Sequence, residues 1–333
     1  MPQESFSNPK FGLLKNLKIG VLYGGASSER KISLRSGRAV HKALRKMGFS
    51  TTWIDPRNLT PAHHGLESID LAFVALHGRG GEDGTIQERL ERQGIPYIGS
   101  GVAGSRRAFD KGISKKIFEK HGIPTARWVI ISRGNWKAVL TKFPGPYFIK
   151  PLREGSSIGV FAVDKIGGAE KKIVASLKQY GELLVEEKIS GREFTVGVLE
   201  KKALPVVELK PKSSFYDYKA KYTKGMTRYI VPARIPVKLS RVLQHWALKV
   251  NRVLGLRDFS RVDMMVDARG KIYVLEANSI PGFTELSLLP KAAGAAGISF
   301  EELCCRLVGA AYARRKSAKK EKKIGKKETQ KKL

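Results

Sequence analysis

The sequence predicts an open α/β layer followed by an α+β body, and three observations carry that prediction. Short apolar runs alternate with amphipathic helical stretches over the first hundred residues, the pattern of a parallel sheet with helical crossovers. From residue 147 onward, strand-like runs follow one another with few helices between them, as in antiparallel sheets. The chain has 333 residues, 42% of them hydrophobic and 28% charged. That is room for about two soluble domains with real cores.

Taken in order, residues 1–16 form a polar lead. LKIGVLYGG at 17–25 is an apolar run ending in glycines, the form of a buried parallel strand feeding a loop. Residues 30–48 have helical periodicity stopped by Gly48; 51–55 and 70–78 are two further strands, and a short helix follows at 84–92. In such open sheets ligands gather at the carboxyl ends of the strands, which places Gly24, Gly25 and the segment 77–81 at that edge. After a helix at 110–121 come strands at 147–151, 157–163, 183–189, 192–200 and 203–210, with one helix at 168–180. Residues 211–235 carry Tyr, Lys, Gly and Pro with little periodicity, and a loop of that length reads as a functional lid or a disordered segment. A helix at 239–254, a strand pair at 259–267 and 271–278 turned at 268–270, and a helix at 299–313 complete the body. Residues 314–333 have almost no apolar content and read as a disordered basic tail.

Composition excludes several classes. The two cysteines, Cys304 and Cys305, cannot build a disulfide framework, and no apolar stretch reaches the length of a membrane span. The opening residues lack the order of a secretion signal, so a cytoplasmic protein is expected. Lys and Arg number 62 against 30 acids, a formal charge of +32. Eleven Lys/Arg and two acids lie in 314–333, so most of the excess is spread over the body. Such charge favours polyanions. Without a nucleic-acid-binding motif beside it, a generally basic proteome or an anionic substrate, with a solvated tail, is the better reading, and nucleic acid is not expected as a partner.

Four segments carry chemistry. In SRVD and LEAN, Arg261 with Asp263 and Glu276 with Asn278 each sit two residues apart, so each pair shares a face of its strand. Paired as a hairpin, the two strands would bring two carboxylates and an amide beside one arginine, a set suited to Mg²⁺ or to a salt-bridged sheet face. KPLREGSSIG, 150–159, delivers a lysine into a Gly/Ser turn whose N–H groups can cradle phosphate. GGASSER, 24–30, puts Glu29 at a helix start, where the dipole favours an acid and a substrate ammonium could also bind. ALHGRGGEDGT, 75–85, has more glycine than a connection needs.

Taken together, these segments resemble the D-alanine–D-alanine ligase family of the ATP-grasp superfamily. FDKGISKKIFEKHGIP, EEKISGREFTVGVL, SSFYDYKAKY and NSIPGFTELSLLP extend the likeness from about Lys18 to Arg314. The resemblance implies an open α/β domain over 17–105 and an ATP-grasp domain over 106–313, divided near 195 and carrying the lid 211–235. It implies ligation of two D-alanines through an acyl phosphate, with ATP consumed, for peptidoglycan precursors. D-lactate or D-serine as second substrate is the alternative, and a basic nucleic-acid-associated protein is the reading of another class.

The resemblance also implies roles. Lys111, Lys150 and Lys221 would meet ATP phosphates under the turn Gly155–Ser157, with Glu186 and Ile189 at the adenine and Glu193 at the ribose. Asp263, Glu276 and Asn278 would hold two Mg²⁺ (or Mn²⁺). Glu29 would bind the ammonium of the first D-alanine beside His77, and Ser287 and Leu288 the carboxylate of the second. Arg261 and the Gly282 N–H would face the developing oxyanion. Glu29, Ser156 and Tyr222 would tie the lid to the other domains, and a tyrosine at 222 goes with D-alanine as second substrate. Ser279, Phe283 and Glu187 depart from the family's more usual residues. A homodimer is the family's expected state.

Overall fold

The computed structural model describes residues 14–58, 65–143, 145–212, 223 and 225–330, with side chains to residue 315. It opens with β1 (Lys18–Leu22), α1 (Arg30–Lys46), β2 (Ser50–Ile54), β3 (Leu71–Val74), α2 (Thr85–Arg92) and β4 (Tyr97–Ile98). These strands form a parallel sheet in the order β2-β1-β3-β4. Four of the five β1 residues and all four of β3 are buried, as a sheet covered on both faces requires. Helix α1 buries Ser33, Ser36, Gly37, Val40, Ala43 and Leu44, a stripe at helical spacing. Its two buried serines are structural ties: Ser33 accepts from Gly24 N (2.8 Å) and donates to Ala75 O (2.8 Å), joining the loops after β1 and β3.

Next come α3 (Val102–Phe109), α4 (Lys111–Lys120), β5 (Trp128–Ser132), α5 (Trp136–Lys142), β6 (Tyr147–Pro151), β7 (Phe161–Val163), α6 (Glu170–Tyr180) and β8 (Glu182–Glu187). A four-stranded antiparallel sheet, β5-β8-β6-β7, packs on α5 and α6 through Trp136, Leu140, Ile149, Ile173 and Val185. The strand expected from 157 begins only at Phe161, because Ser156 and Ser157 adopt left-handed φ of 51° and 58° and hold the turn open. The helix expected at 110–121 is α4, and a separate helix, α3, precedes it. Asp110 ends α3 extended and caps α4, its carboxylate accepting from Ile113 N (3.0 Å).

The rest consists of β9 (Gly191–Leu199), β10 (Lys202–Ala203), β11 (Val207–Pro211), β12 (Thr227–Ile230), α7 (Val237–Leu254), β13 (Phe259–Asp267), β14 (Ile272–Asn278), α8 (Leu288–Ala295) and α9 (Phe300–Gln330). Its sheet runs β12-β11-β9-β13-β14, all neighbours antiparallel, with β10 also on β9. The 211–235 segment is not wholly a loop, since Thr227–Ile230 pairs with Val207–Pro211.

The tail is a second correction. Helix α9 continues to Gln330 through the residues expected to be disordered. Arg314 makes a charge-assisted pair with Asp258 and donates to Tyr97 O (3.0 Å). The front of α9 lies in one apolar core with the first sheet: Leu303, Leu307, Val308 and Ala311 cluster with Ile19, Val40, Leu44, Leu71 and Phe73.

Candidate functional site

A cavity of about 620 Å³ opens between the two antiparallel sheets, lined by residues from β6, β8, β9, β11, β13 and β14 and by the turn after β6. Its walls include Lys111, Lys150, Gly155, Ser157, Glu186, Ile189, Glu193, Asp263 and Glu276. Nine residues named from the sequence are thus brought to one space.

On the floor, β13 and β14 pair so that Asp263 lies opposite Glu276 and Arg261 opposite Asn278, with a bulge after Asp263. The hairpin expected from alternation is therefore formed. Arg261 grips Asp263 through Nε (2.9 Å to Oδ1) and Nη2 (2.8 Å to Oδ2). Asn278 Nδ2 donates to Asp263 Oδ2 (3.0 Å), which turns its own amide oxygen away from that bond. Thr195 Oγ1, facing across from β9, donates to Asp263 Oδ1 (2.5 Å). Glu276 lies 3.8 Å from the Lys111 ammonium. No cluster of three His, Cys, Asp or Glu side chains is assembled among the described residues. Asp263 and Glu276 nevertheless face each other in register and both line the cavity, with Asn278 beside Asp263, and hard oxygens of that kind suit Mg²⁺ shared with phosphate oxygens.

On the opposite wall Glu186, buried in β8, is held by two ammonium groups, Lys150 from β6 and Lys115 from α4. Burial alone would raise the Glu186 carboxyl, but the charges and hydrogen bonds of the two lysines outweigh it and bring the pKa down to about 2. Lys150 is raised: burial opposes its charge, and Glu186, Glu276 and Glu193 more than offset that. Lys111 Nζ donates to Glu154 O (2.5 Å), pinning the turn that follows β6. Arg153 Nε donates to Asp110 Oδ2 (2.7 Å) and ties the same turn to the cap of α4.

The first sheet meets this turn from outside the cavity. Ser156 Oγ donates to a Glu29 carboxylate oxygen, so two of the three members of the expected trio touch. Tyr222, the third, lies outside the described residues, as does Lys221. A Cβ on Gly155 would strike the Glu29 carboxylate, which explains a glycine at that place.

His77 is buried beyond Glu29. Its Nδ1 faces Ile280 O (3.1 Å) and Glu82 Oε1 (3.3 Å), and its Nε2 faces Ser36 Oγ (2.9 Å). Burial disfavours the imidazolium, yet the Glu82 carboxylate, the Glu29 charge and the Ile280 carbonyl raise the pKa above the usual histidine range. Ser36 Oγ also accepts from Phe283 N (3.2 Å), so α1 and His77 together fix the segment that carries Gly282. Phe283, a departure in the sequence, fills a core position beside Phe73 and Phe259. Ser287 caps α8 in position only: its Oγ accepts from Thr284 N (3.1 Å), leaving Leu288 in the first turn of the helix. Nothing in the order of residues singles out Lys115, Ser36 or Glu82. For Thr195 the two-residue step from Glu193 was the available signal.

Residues 117–309 match the family described as D-ala D-ala ligase C-terminus, and residues 57–100 match its N-terminus counterpart. A D-alanine–D-alanine ligase of Geotalea uraniireducens is 45% identical over 304 residues, spanning 90% of this chain and 96% of that protein. One from Aquifex aeolicus is 45% identical over 289 residues, 86% of this chain and 98% of its own. Among solved structures, the D-alanine–D-alanine ligase from Bacillus anthracis complexed with ATP superposes with a TM-score of 0.80 at 32% identity, covering 91% of this chain and 99% of that one. The VanG D-Ala:D-Ser ligase from Enterococcus faecalis follows at 0.79 and 30% identity, covering 89% and 99%.

Proposed function

Because the chain belongs to the D-alanine–D-alanine ligase family, with its ATP-grasp fold, we propose that it joins two D-alanine molecules, consuming ATP and releasing ADP and phosphate for peptidoglycan precursors. The observation that carries this is the contact of Glu29 with Ser156, because it sets a substrate-side acid against the turn that roofs a lysine-lined cavity.

A carboxylate is a poor electrophile, so the first D-alanine must attack the γ-phosphate and become an acyl phosphate before an amine can displace it. Glu29 holds the ammonium of that D-alanine, with His77 behind it. Lys111, Lys150 and Lys221 bind the phosphates under Gly155–Ser157, while Glu186 and Ile189 face the adenine and Glu193 the ribose. Asp263, Glu276 and Asn278 would hold two Mg²⁺ (or Mn²⁺), which supply charge neutralisation to phosphoryl transfer when bound. Attack by the second amine builds an oxyanion that Arg261 and the Gly282 N–H face; one such donor is worth about 3–4 kcal/mol. Ser287 Oγ and the Leu288 N–H receive the second carboxylate at the start of α8. Tyr222 closes with the lid, since an acyl phosphate must be kept from water.

We read residues 17–105 as the substrate layer and 106–313, with its division near 195, as the ATP-grasp body. The working state is a homodimer in the cytoplasm, and no helix among the described residues is long and apolar enough to cross a membrane.

The test is ADP release by the full chain with ATP, Mg²⁺ and each of D-alanine, D-lactate, D-serine and L-alanine. Release that requires D-alanine, with D-alanyl-D-alanine identified by mass spectrometry, is expected. Release driven by D-lactate or D-serine as acceptor would reassign the second substrate, and no release with any of them would overturn the reading.

A further inference from the structure

Lys115 lies behind the wall of the cavity. It is 1% exposed, does not line the space, and no step above uses it. Its surroundings define its state. The Thr125 hydroxyl donates to Val274 O (2.7 Å), so Thr125 Oγ1 can only accept from Lys115 Nζ. Glu186 Oε1 and, at 3.4 Å, Val274 O are its other neighbours, and they too can only accept. Burial and the Lys150 charge lower the Lys115 pKa, but three acceptor-only partners, Glu186 foremost, call for three N–H donors and hold Lys115 as an ammonium.

That cation changes what Glu186 and Lys150 can offer the cavity. One carboxylate stands between two lysines, with Oε1 committed to Lys115 and Oε2 to Lys150. With Lys150 as sole partner, Glu186 would form a closed neutral pair and could rotate toward it. With Lys115 behind, the carboxylate plane is fixed from the protein side and the Lys150 charge is only partly matched. Glu186 then presents an acceptor-only edge to the cavity, which favours an exocyclic amino group and repels a carbonyl oxygen in the same place.

We infer that Lys115 is the positioning residue for nucleobase discrimination, fixing the Glu186 carboxylate so that the cavity takes a 6-amino purine over a 6-oxo purine. This rests on the placement of adenine at Glu186 proposed above. Lys115 touches neither nucleotide nor reacting atoms and acts through Glu186.

The test compares ADP with IDP, which differ at the 6-position and the adjoining ring nitrogen, by calorimetric dissociation constants on the full chain. In the wild type IDP should bind about a hundredfold more weakly than ADP. Lys115→Met should shrink that ratio about tenfold or more, while the KM for D-alanine stays within about twofold. A folded Lys115→Met variant that keeps the wild-type ratio overturns the inference. If that variant does not fold, Thr125→Val decides: it removes one acceptor from Lys115, and a ratio reduced about threefold supports the inference while an unchanged ratio overturns it. Glu186→Gln separates the two levels. A ratio unmoved in that variant means the carboxylate does not read the base, so the adenine placement fails and the Lys115 role with it.

Discussion

Gly155 is a position where one methyl group bears on the whole reaction. It sits between the strand that delivers Lys150 and two serines in left-handed backbone, and the Glu29 carboxylate fills the place where a side chain would begin. Non-glycine residues in that region cost about 1 kcal/mol or more each, so the turn holds its shape only while neighbours fix it. Gly155→Ala should push Ser156 off Glu29 and lower kcat for ADP release more than about tenfold, with the thermal midpoint little changed. A variant of normal kcat would show that closure of the turn on Glu29 is not needed. Much of this site was legible in the sequence because it lies on strands: period two alone set Arg261, Asp263, Glu276 and Asn278 on shared faces, and their pairing follows. Lys115 was not legible. On a helix, a lysine four residues after Lys111 reads as more of the same charged face, and only the packing of α4 against β8 and β14 shows that it turns inward.

Among the elements, α1 and the loop after β3 act as a jig for the segment between β14 and α8. Ser36 takes the Phe283 N–H and faces His77, which in turn faces Ile280 O. The titration of His77 should therefore be visible in stability. Its pKa is raised on folding, so the interaction contributes fully below about 6.5, the unfolded value, and is lost as pH rises through the folded value. The groups facing it are Glu82, Glu29, Ser36 and the Ile280 carbonyl. Melting from pH 6 to pH 9 should show wild type holding its largest margin over Glu82→Gln at the acid end, the margin shrinking upward. A margin constant across that range would detach Glu82 from the proton on His77. The elements that sequence reasoning missed were short or broken, such as α5 and β12. The one it misjudged, the end of α9, has a physical cause: low apolar content argues against a core, but Lys, Glu, Ala and Gln are good helix formers and extend a helix that Leu303 to Ala311 have already anchored.

For the molecule as a whole, the boundary between tail and body falls at Arg314. Its partner Asp258 is buried, has φ of 63°, and also accepts from Gly99 N (2.7 Å), so one guanidinium joins α9, β4 and the turn before β13. Removing residues 316–333 should leave turnover within about twofold and the melting point unchanged. Arg314→Ala should cost about 2 kcal/mol of stability, because it strands a buried carboxylate, and should move the denaturant midpoint accordingly. Equal behaviour of the two variants would show that the ion pair contributes nothing to folding.

The shared core of the first sheet and α9 also has a consequence for how the chain is made. The residues that close the space under β1 and β3 lie roughly 230 to 290 positions downstream of the residues they cover. At about 5–20 residues per second, a ribosome needs roughly 12–60 s to travel that distance. The part of the protein synthesised first is thus the last able to finish folding. Throughout elongation its apolar face depends on chaperones, or on speed, to stay out of trouble.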